Sequence, residues 1–170
     1  MIQQPWGLRN FSLHVDNVGF AGYVTKAKLP DISVKTEDHK GAGMEVNRKL
    51  DHGIEDLELT FNSADFSDFL RNNTGILNNS ETAIILRGAL SDDSSNVAKA
   101  VRGDAKGTII KVESAEWEPG TKTDDTYTMS LKYWKLVVDG SVTCEIDTDR
   151  LIRIIGGVDQ MAGIRGAIQL

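Results

Sequence analysis

Tyr127-Thr128-Met129-Ser130-Leu131-Lys132-Tyr133-Trp134-Lys135-Leu136-Val137-Val138 is a long, strongly β-forming run within a chain of 170 residues. Successive side chains of a strand point to opposite faces, so apolar residues at every second position mark a half-buried strand. Here the apolar positions are odd-numbered through Leu131 and even-numbered from Trp134 onward. A slip of one residue moves every later side chain to the other face. The switch at Tyr133-Trp134 therefore implies a β-bulge, or a strand whose two ends serve different surfaces, one intramolecular and one between subunits. Asp139-Gly140, directly after the run, is a two-residue hairpin signal that returns the chain into a strand over residues 141–146.

Upstream, further strands read from residues 82–90 and 97–112, separated by the polar loop Ser91-Asp92-Asp93-Ser94-Ser95-Asn96, while residues 117–125 form another polar connection. Leu57, Leu59 and Phe61 alternate with Glu58, Thr60 and Asn62 as a half-buried strand. Ser63 then reads as a helix N-cap, with Asp65 in the first turn, Phe66, Phe69 and Leu70 on one face, and residues 72–75 as the stop. Near the N-terminus Phe11, Leu13 and Val15 alternate with Ser12, His14 and Asp16, Asp16-Asn17-Val18-Gly19 supplies a turn, and an extended segment runs to Leu29-Pro30, where it bends and can continue to Thr36. The tail is apolar but irregular; residues 158–168 can form a short helix with Val158, Met161, Ala162 and Ile168 on one face, although each interior glycine costs about 0.5–1 kcal/mol relative to alanine. These elements indicate a mainly β fold, a β-sandwich or barrel, with one short α-helix between strands and a second at the C-terminus, in a single domain over residues 1–170. A fold of this kind leaves strand edges that must be hidden or used for assembly.

Between two of the strands lies Lys35-Thr36-Glu37-Asp38-His39-Lys40-Gly41-Ala42-Gly43-Met44. Residues 38–52 read as a loop too long and too charged for a simple connection, and loops above about 12 residues are usually functional or disordered. This loop is expected to contact another subunit. Segment 72–93 is asparagine-rich and is expected to decorate an outer face.

Composition narrows the chemistry. With 19 basic and 25 acidic residues the net charge is −6, so repulsion is the expected response to nucleic acid. The lone Cys144 lies on the apolar side of its strand and reads as a small buried hydrophobe, because burial raises a thiol's pKa. Residues 1–10 hold no apolar signal core, and no stretch approaches the roughly 20 apolar residues of a membrane helix. His14, His39 and His52 are not at ligand spacing, and His14, at a polar-parity position, is expected to be exposed or inter-subunit. Gly41-Ala42-Gly43 lacks the third glycine of a dinucleotide fingerprint, and neither a G-x-S-x-G nor a Walker A sequence occurs. No catalytic, cofactor or metal site is expected.

Taken together, Leu29-Pro30, Lys35-Thr36-Glu37-Asp38, Gly41-Ala42-Gly43-Met44, Val138-Asp139-Gly140, Glu145-Ile146-Asp147, Gly157-Val158-Asp159-Gln160 and Leu170 resemble the major tail tube proteins of contractile-tailed bacteriophages and the similar tube proteins of R-type pyocins, in order and nearly end to end. The resemblance implies homohexameric rings stacked helically inside a contractile sheath, with neighbouring sheets joined into an inner β-barrel. The long loop would reach the adjacent ring through Asp38, His39, Lys40, Gly41, Gly43, Met44, Glu45 and Arg48, and the C-terminal segment would add contacts at Asp159, Gln160, Arg165 and Leu170. It also implies tape-measure, sheath, baseplate and tail-terminator partners, a virion location after assembly in the host bacterial cytoplasm, and DNA passing through the lumen without specific binding. If part of the acidic charge faced inward, the wall would repel DNA. Two rivals stand beside this reading: a type VI secretion-like ring protein, and a monomeric β-barrel enzyme or ligand carrier with an apolar pocket.

Overall fold

A computed structural model describes residues 5–20, 22–75, 81–92 and 97–169. It opens on β1 (Gly7–Val15), which reverses through Asp16 and Asn17, both at positive φ, into β2 (Val18–Gly19). Then come β3 (Val24–Lys28), β4 (Val34–His39), β5 (Arg48–Ile54), β6 (Glu58–Ser63), the helix α1 (Asp68–Asn72) and β7 (Thr82–Ser91). The long strands β8 (Ala98–Glu113) and β9 (Asp125–Val138) follow, then β10 (Ser141–Asp147), β11 (Ile152–Ile155), β12 (Val158–Asp159) and the helix α2 (Ala162–Ile168).

The main sheet runs β12-β11-β10-β9-β8-β7-β1-β2, with β6 and β3 branching from β9. Because the chain passes from β2 through Phe20 and Tyr23 into β3, the strands β1, β7, β8, β9, β6 and β3 make a nearly closed barrel. The remaining strands, β10 to β12, extend from the other half of β9. β4 and β5 stand apart as a two-stranded ribbon.

The parity switch in β9 is a bulge. Tyr133 pairs with Lys106 while Leu131 pairs with Gly107, so Lys132 is an extra residue with no partner on β8. Asp125 to Ser130 pair with β6, whereas Tyr133 to Val138 pair with β10, so the edge of β9 changes neighbour at the same residue. The bulge leaves its carbonyl outside the ladder, and Thr148 satisfies it with both its N–H (3.0 Å) and its hydroxyl (3.1 Å). As a result Tyr127, Met129 and Leu131 on one side of Lys132, and Trp134 on the other, all point into one core with Leu13, Phe61, Ile84 and Cys144. Asp139 and Gly140, both at positive φ (50° and 78°), supply the expected two-residue hairpin turn.

Several expectations are corrected. Ser63 is the buried last residue of β6 and its hydroxyl bonds with the backbone of Asp65; the helix begins four residues later, where Ser67 Oγ accepts the Leu70 N–H. Residues 31–36 do not lengthen β3: Pro30 is buried at the bend, and the chain departs into the ribbon. Residues 82–91 lie inside the main sheet with Ile84 buried, so an outer decoration cannot extend over them, and residues 76–80 lie outside the described part. The C-terminal helix forms only over Ala162–Ile168, because residues 158 and 159 pair with β11.

Two glycines make the close packing possible. A Cβ on Gly103 would sit 2.7 Å from the Trp134 ring, and one on Gly107 would collide with the Ser130 carbonyl opposite the bulge. Gly163, by contrast, has open space around it in α2. Chemical denaturation should therefore show Gly107→Ala losing about 2–3 kcal/mol of stability through backbone overpacking. Gly163→Ala should instead gain up to about 1 kcal/mol, by removing a helix-interior glycine.

Candidate functional site

No compact catalytic constellation appears among the described residues, and no group of three metal-ligating side chains occurs there. What the fold presents instead is a set of uncovered surfaces.

The first is the ribbon. Asp38 pairs with Lys49 and His39 with Arg48, so the segment read as a loop over residues 38–52 is a β-hairpin whose true connection is residues 40–47. Its turn is shaped by Gly43 at φ 87° and closed by the Met44 N–H to the Gly41 carbonyl at 3.1 Å. The hairpin thus brings Asp38, His39, Lys40, Gly41, Gly43, Met44, Glu45 and Arg48 together at one tip. Asp38, Lys40, Glu45 and Arg48 make no ion pair among the described residues, and Val46 beside them is 75% exposed. Every residue of β4 is exposed, which removes the alternation that would have marked it as a strand.

At its base the ribbon is tied to the sheet. Gly53, at φ 106°, makes a bulge where β5 leaves the body, and its N–H donates to Asp51 Oδ1. Arg153 on β11 grips the Asp51 carboxylate with two nitrogens, at 2.6 and 3.3 Å. That grip, then the Gly53 N–H, holds the Asp51 carboxyl below the ordinary carboxylate range. Sequence reasoning missed this tie because it joins positions 102 residues apart.

The C-terminal segment is arranged differently from its expectation. Arg165 bonds Asp159 at 2.5 Å and the Leu151 carbonyl at 2.8 Å, so these two residues fasten α2 to the β11 end of the sheet rather than standing free. The Gln160 N–H donates to the Arg153 carbonyl, and Leu170 lies outside the described residues. Val158 (65% exposed), Ile164 and Ile168 are left as uncovered apolar surface. At the opposite end of the sheet, β1 pairs with β2 only through His14 and Val15, which leaves residues 7–12 as an open edge carrying exposed Leu8.

The last surface is the face of the main sheet turned away from the core, a groove of about 800 Å³ across β7 to β11. Its lining mixes apolar side chains with charges that are paired: Arg102 with Asp104 along β8, Lys135 with Glu145 between β9 and β10, and Lys132 with Glu81, at 2.8 to 3.2 Å. Arg150 lies 3.9 Å from Asp147. Tyr133 donates to Glu145 at 3.0 Å, and burial together with that carboxylate pushes the phenol up to about 12, so it stays protonated. The groove is open and of mixed polarity rather than an enclosed apolar pocket, which weighs against a ligand carrier. His14 sits on this face half-buried against Gly19, not exposed, and its Nδ1 has no partner among the described residues. On the opposite, layered side, Phe66, just before α1, meets Trp117 (77% exposed) edge-on at 6.1 Å, with the guanidinium of Arg71 on α1 over the Phe66 ring.

Comparison with known proteins gives one consistent answer. A family model described as phage tail tube protein FII matches residues 5–168. The chain is 26% identical over 172 residues to the tail tube protein of Escherichia phage P2, covering 98% of each. It is 29% identical over 147 residues to the major tail tube protein of Serratia phage KSP20, covering 84% of this chain and 83% of that one. Among solved structures, the sheath/tube terminator of an extracellular contractile injection system shares the fold with a TM-score of 0.59 at 14% identity, over 81% of this chain and 99% of that one.

The tie at the ribbon base has a testable pH dependence. A carboxyl whose folded-state pKa lies below its unfolded value of about 3.9 contributes above that value and loses its contribution as pH falls through the lower one. Backbone amide relaxation should therefore show β4 and β5 ordered with the body at neutral pH and loosened only in acid. Arg153→Ala should loosen them at neutral pH without melting the core.

Proposed function

The chain belongs to the phage tail tube protein FII family, and on that footing we propose that six copies close into a ring and that the rings stack into the inner tube of a contractile tail or phage-tail-like particle. As a tail tube protein it is a structural component of the virion. We assign it no catalytic step. The observation that carries the proposal is the main sheet, which ends in a free β1 edge on one side and the short β12 and open start of β10 on the other. Two such edges invite strand pairing between neighbouring copies, and in a closed ring no edge is left over.

Ring closure also assigns the two faces. One face of the wall carries the barrel layer of β3, β6 and α1, so only the bare, charged face has room to line a bore. The layered side then faces outward to a sheath, and the ribbon, standing off the body, reaches the adjacent ring. Its charges at Asp38, Lys40, Glu45 and Arg48, unpaired among the described residues, supply groups for that contact, and exposed Val158, Ile164 and Ile168 are covered by a neighbour. Stacking would proceed in the host bacterial cytoplasm along a tape-measure protein, with baseplate and terminator proteins at the two ends, and DNA would cross the bore without sequence-specific binding.

Electron microscopy of the purified protein should show six-fold rings or tubes; a monomer persisting at high concentration would overturn the proposal. Glu37 and Leu50 face each other across the ribbon, so joining them by Asn-Gly shortens the arm while keeping its register. That variant should fold with unchanged thermal stability and form rings that do not stack, whereas normal tubes would refute the role of the arm.

A further inference from the structure

Two of the surfaces that assembly would use hang from the body by little more than polar ties. β4 and β5 pack against each other and scarcely against any other element, while α2 packs scarcely against any and buries no residue of its own. The ties of both meet at one residue. The Arg153 guanidinium holds Asp51 at the ribbon base, at 2.6 and 3.3 Å, and the Arg153 carbonyl accepts the Gln160 N–H at 2.8 Å, just before α2. Beside Gln160, Asp159 accepts from the Met161 N–H and from Arg165, and Arg165 reaches back to the Leu151 carbonyl next to β11. Ribbon and C-terminal segment are thus joined in series through β11.

The joint has a gripped and an open state. Gly53, at φ 106° and with nothing within 4 Å of where a Cβ would stand, is free to turn at the point where β5 leaves the body. Asp51 is 48% exposed, and an ion pair so open to water shifts a population by no more than about fivefold. The Arg153 Nε is buried without a partner among the described residues, a cost that the gripped state bears. In a lone subunit the ribbon is therefore held by a small margin, and any contact that fixes β11 and β12 more firmly widens it.

We infer that ring closure sets the stacking arm: when a neighbouring copy covers Val158, Ile164 and Ile168, the C-terminal segment is fixed, Arg153 is fixed with it, and the ribbon is held in the orientation that meets the next ring. The inference rests on the ring-and-tube reading above. By linkage the effect is reciprocal, so a ribbon engaged by the next ring strengthens the contact at α2. Closed rings then stack more readily than single subunits add.

Hydrogen exchange on the isolated full-length chain, below the concentration at which it assembles, tests the joint itself. Arg165→Gln removes a tie of α2 and should speed exchange of the β4 and β5 amides, on the far side of the grip, about threefold. In an Arg153→Gln background, or in Asp51→Asn if that one does not fold, Arg165→Gln should add nothing. Ribbon exchange indifferent to Arg165→Gln with the grip intact would overturn the inference whether or not tubes form. The second measurement is the critical concentration for tube assembly, read by sedimentation for Val46→Asp on the arm, Ile168→Asp on α2, and both together, with alanine at each position as the milder form. Effects of independent sites multiply, whereas coupling should leave the double variant about threefold less severe than the product. That shortfall should vanish with Arg153→Gln, and its persistence would overturn the route through Arg153. A plain product with the grip intact would overturn the coupling and leave the tube standing. A wild-type chain that forms neither rings nor tubes at any concentration would instead overturn the tube reading on which the inference rests.

Discussion

The fold depends on the extra residue that β9 carries at Lys132. Had the strand kept strict alternation, Trp134 would leave the core and Tyr133 and Lys135 would enter it, placing an ammonium group among Leu86, Ala105 and Cys144. Burying an unpaired charge costs far more than a bulge. The bulge also falls where β9 changes its edge partner from β6 to β10, so one residue lets a single strand serve both the closed barrel and the open extension. Gly107 on the facing strand leaves space for it, and Thr148 takes up the displaced carbonyl. These three positions form one device spread over two strands and the turn after β10.

Much of this is legible in sequence wherever one face is wet and the other dry. The alternation of Leu57 to Phe61, the hairpin at Asp139-Gly140 and the parity switch each translate directly into burial, because water on one side of a strand imposes a period of two. The ribbon reads as a loop because both its faces are wet: all of β4 is exposed, so no period exists to detect. The helix start is misplaced by four residues because Ser63 and Ser67 both offer a capping hydroxyl, and only the pairing of Ser63 with Asp125 shows that the first still belongs to a strand. The charged face is illegible for another reason. Arg87 and Arg102 become neighbours only through the register of β7 on β8, and total charge says nothing about which side of a sheet holds which sign.

The isolated subunit is thus stable on one side and incomplete on the other. Its core is sealed around Phe61, Tyr127 and Trp134, while β1 keeps an open edge and α2 buries no residue of its own. Soluble proteins usually blunt such edges with charge, proline or a covering element. Here the short β12 covers two residues of β11, and the rest stands uncovered among the described residues. The ribbon follows the same logic, since its strands are held by each other and by the Asp51–Arg153 grip rather than by burial.

The three tryptophans are distributed in a way that makes the molecule its own optical gauge. Trp134 is sealed in the core beside the bulge, so its emission follows folding. Trp6 sits under the Lys99 ammonium at 4.1 Å, immediately before the open β1 edge, where strand addition by a neighbour would alter its surroundings. Trp117 stands almost fully in water on the layered side, where its quenching would follow whatever docks there. Single-tryptophan derivatives would therefore resolve folding, ring closure and outer-surface engagement as three separate fluorescence signals from one unlabelled chain.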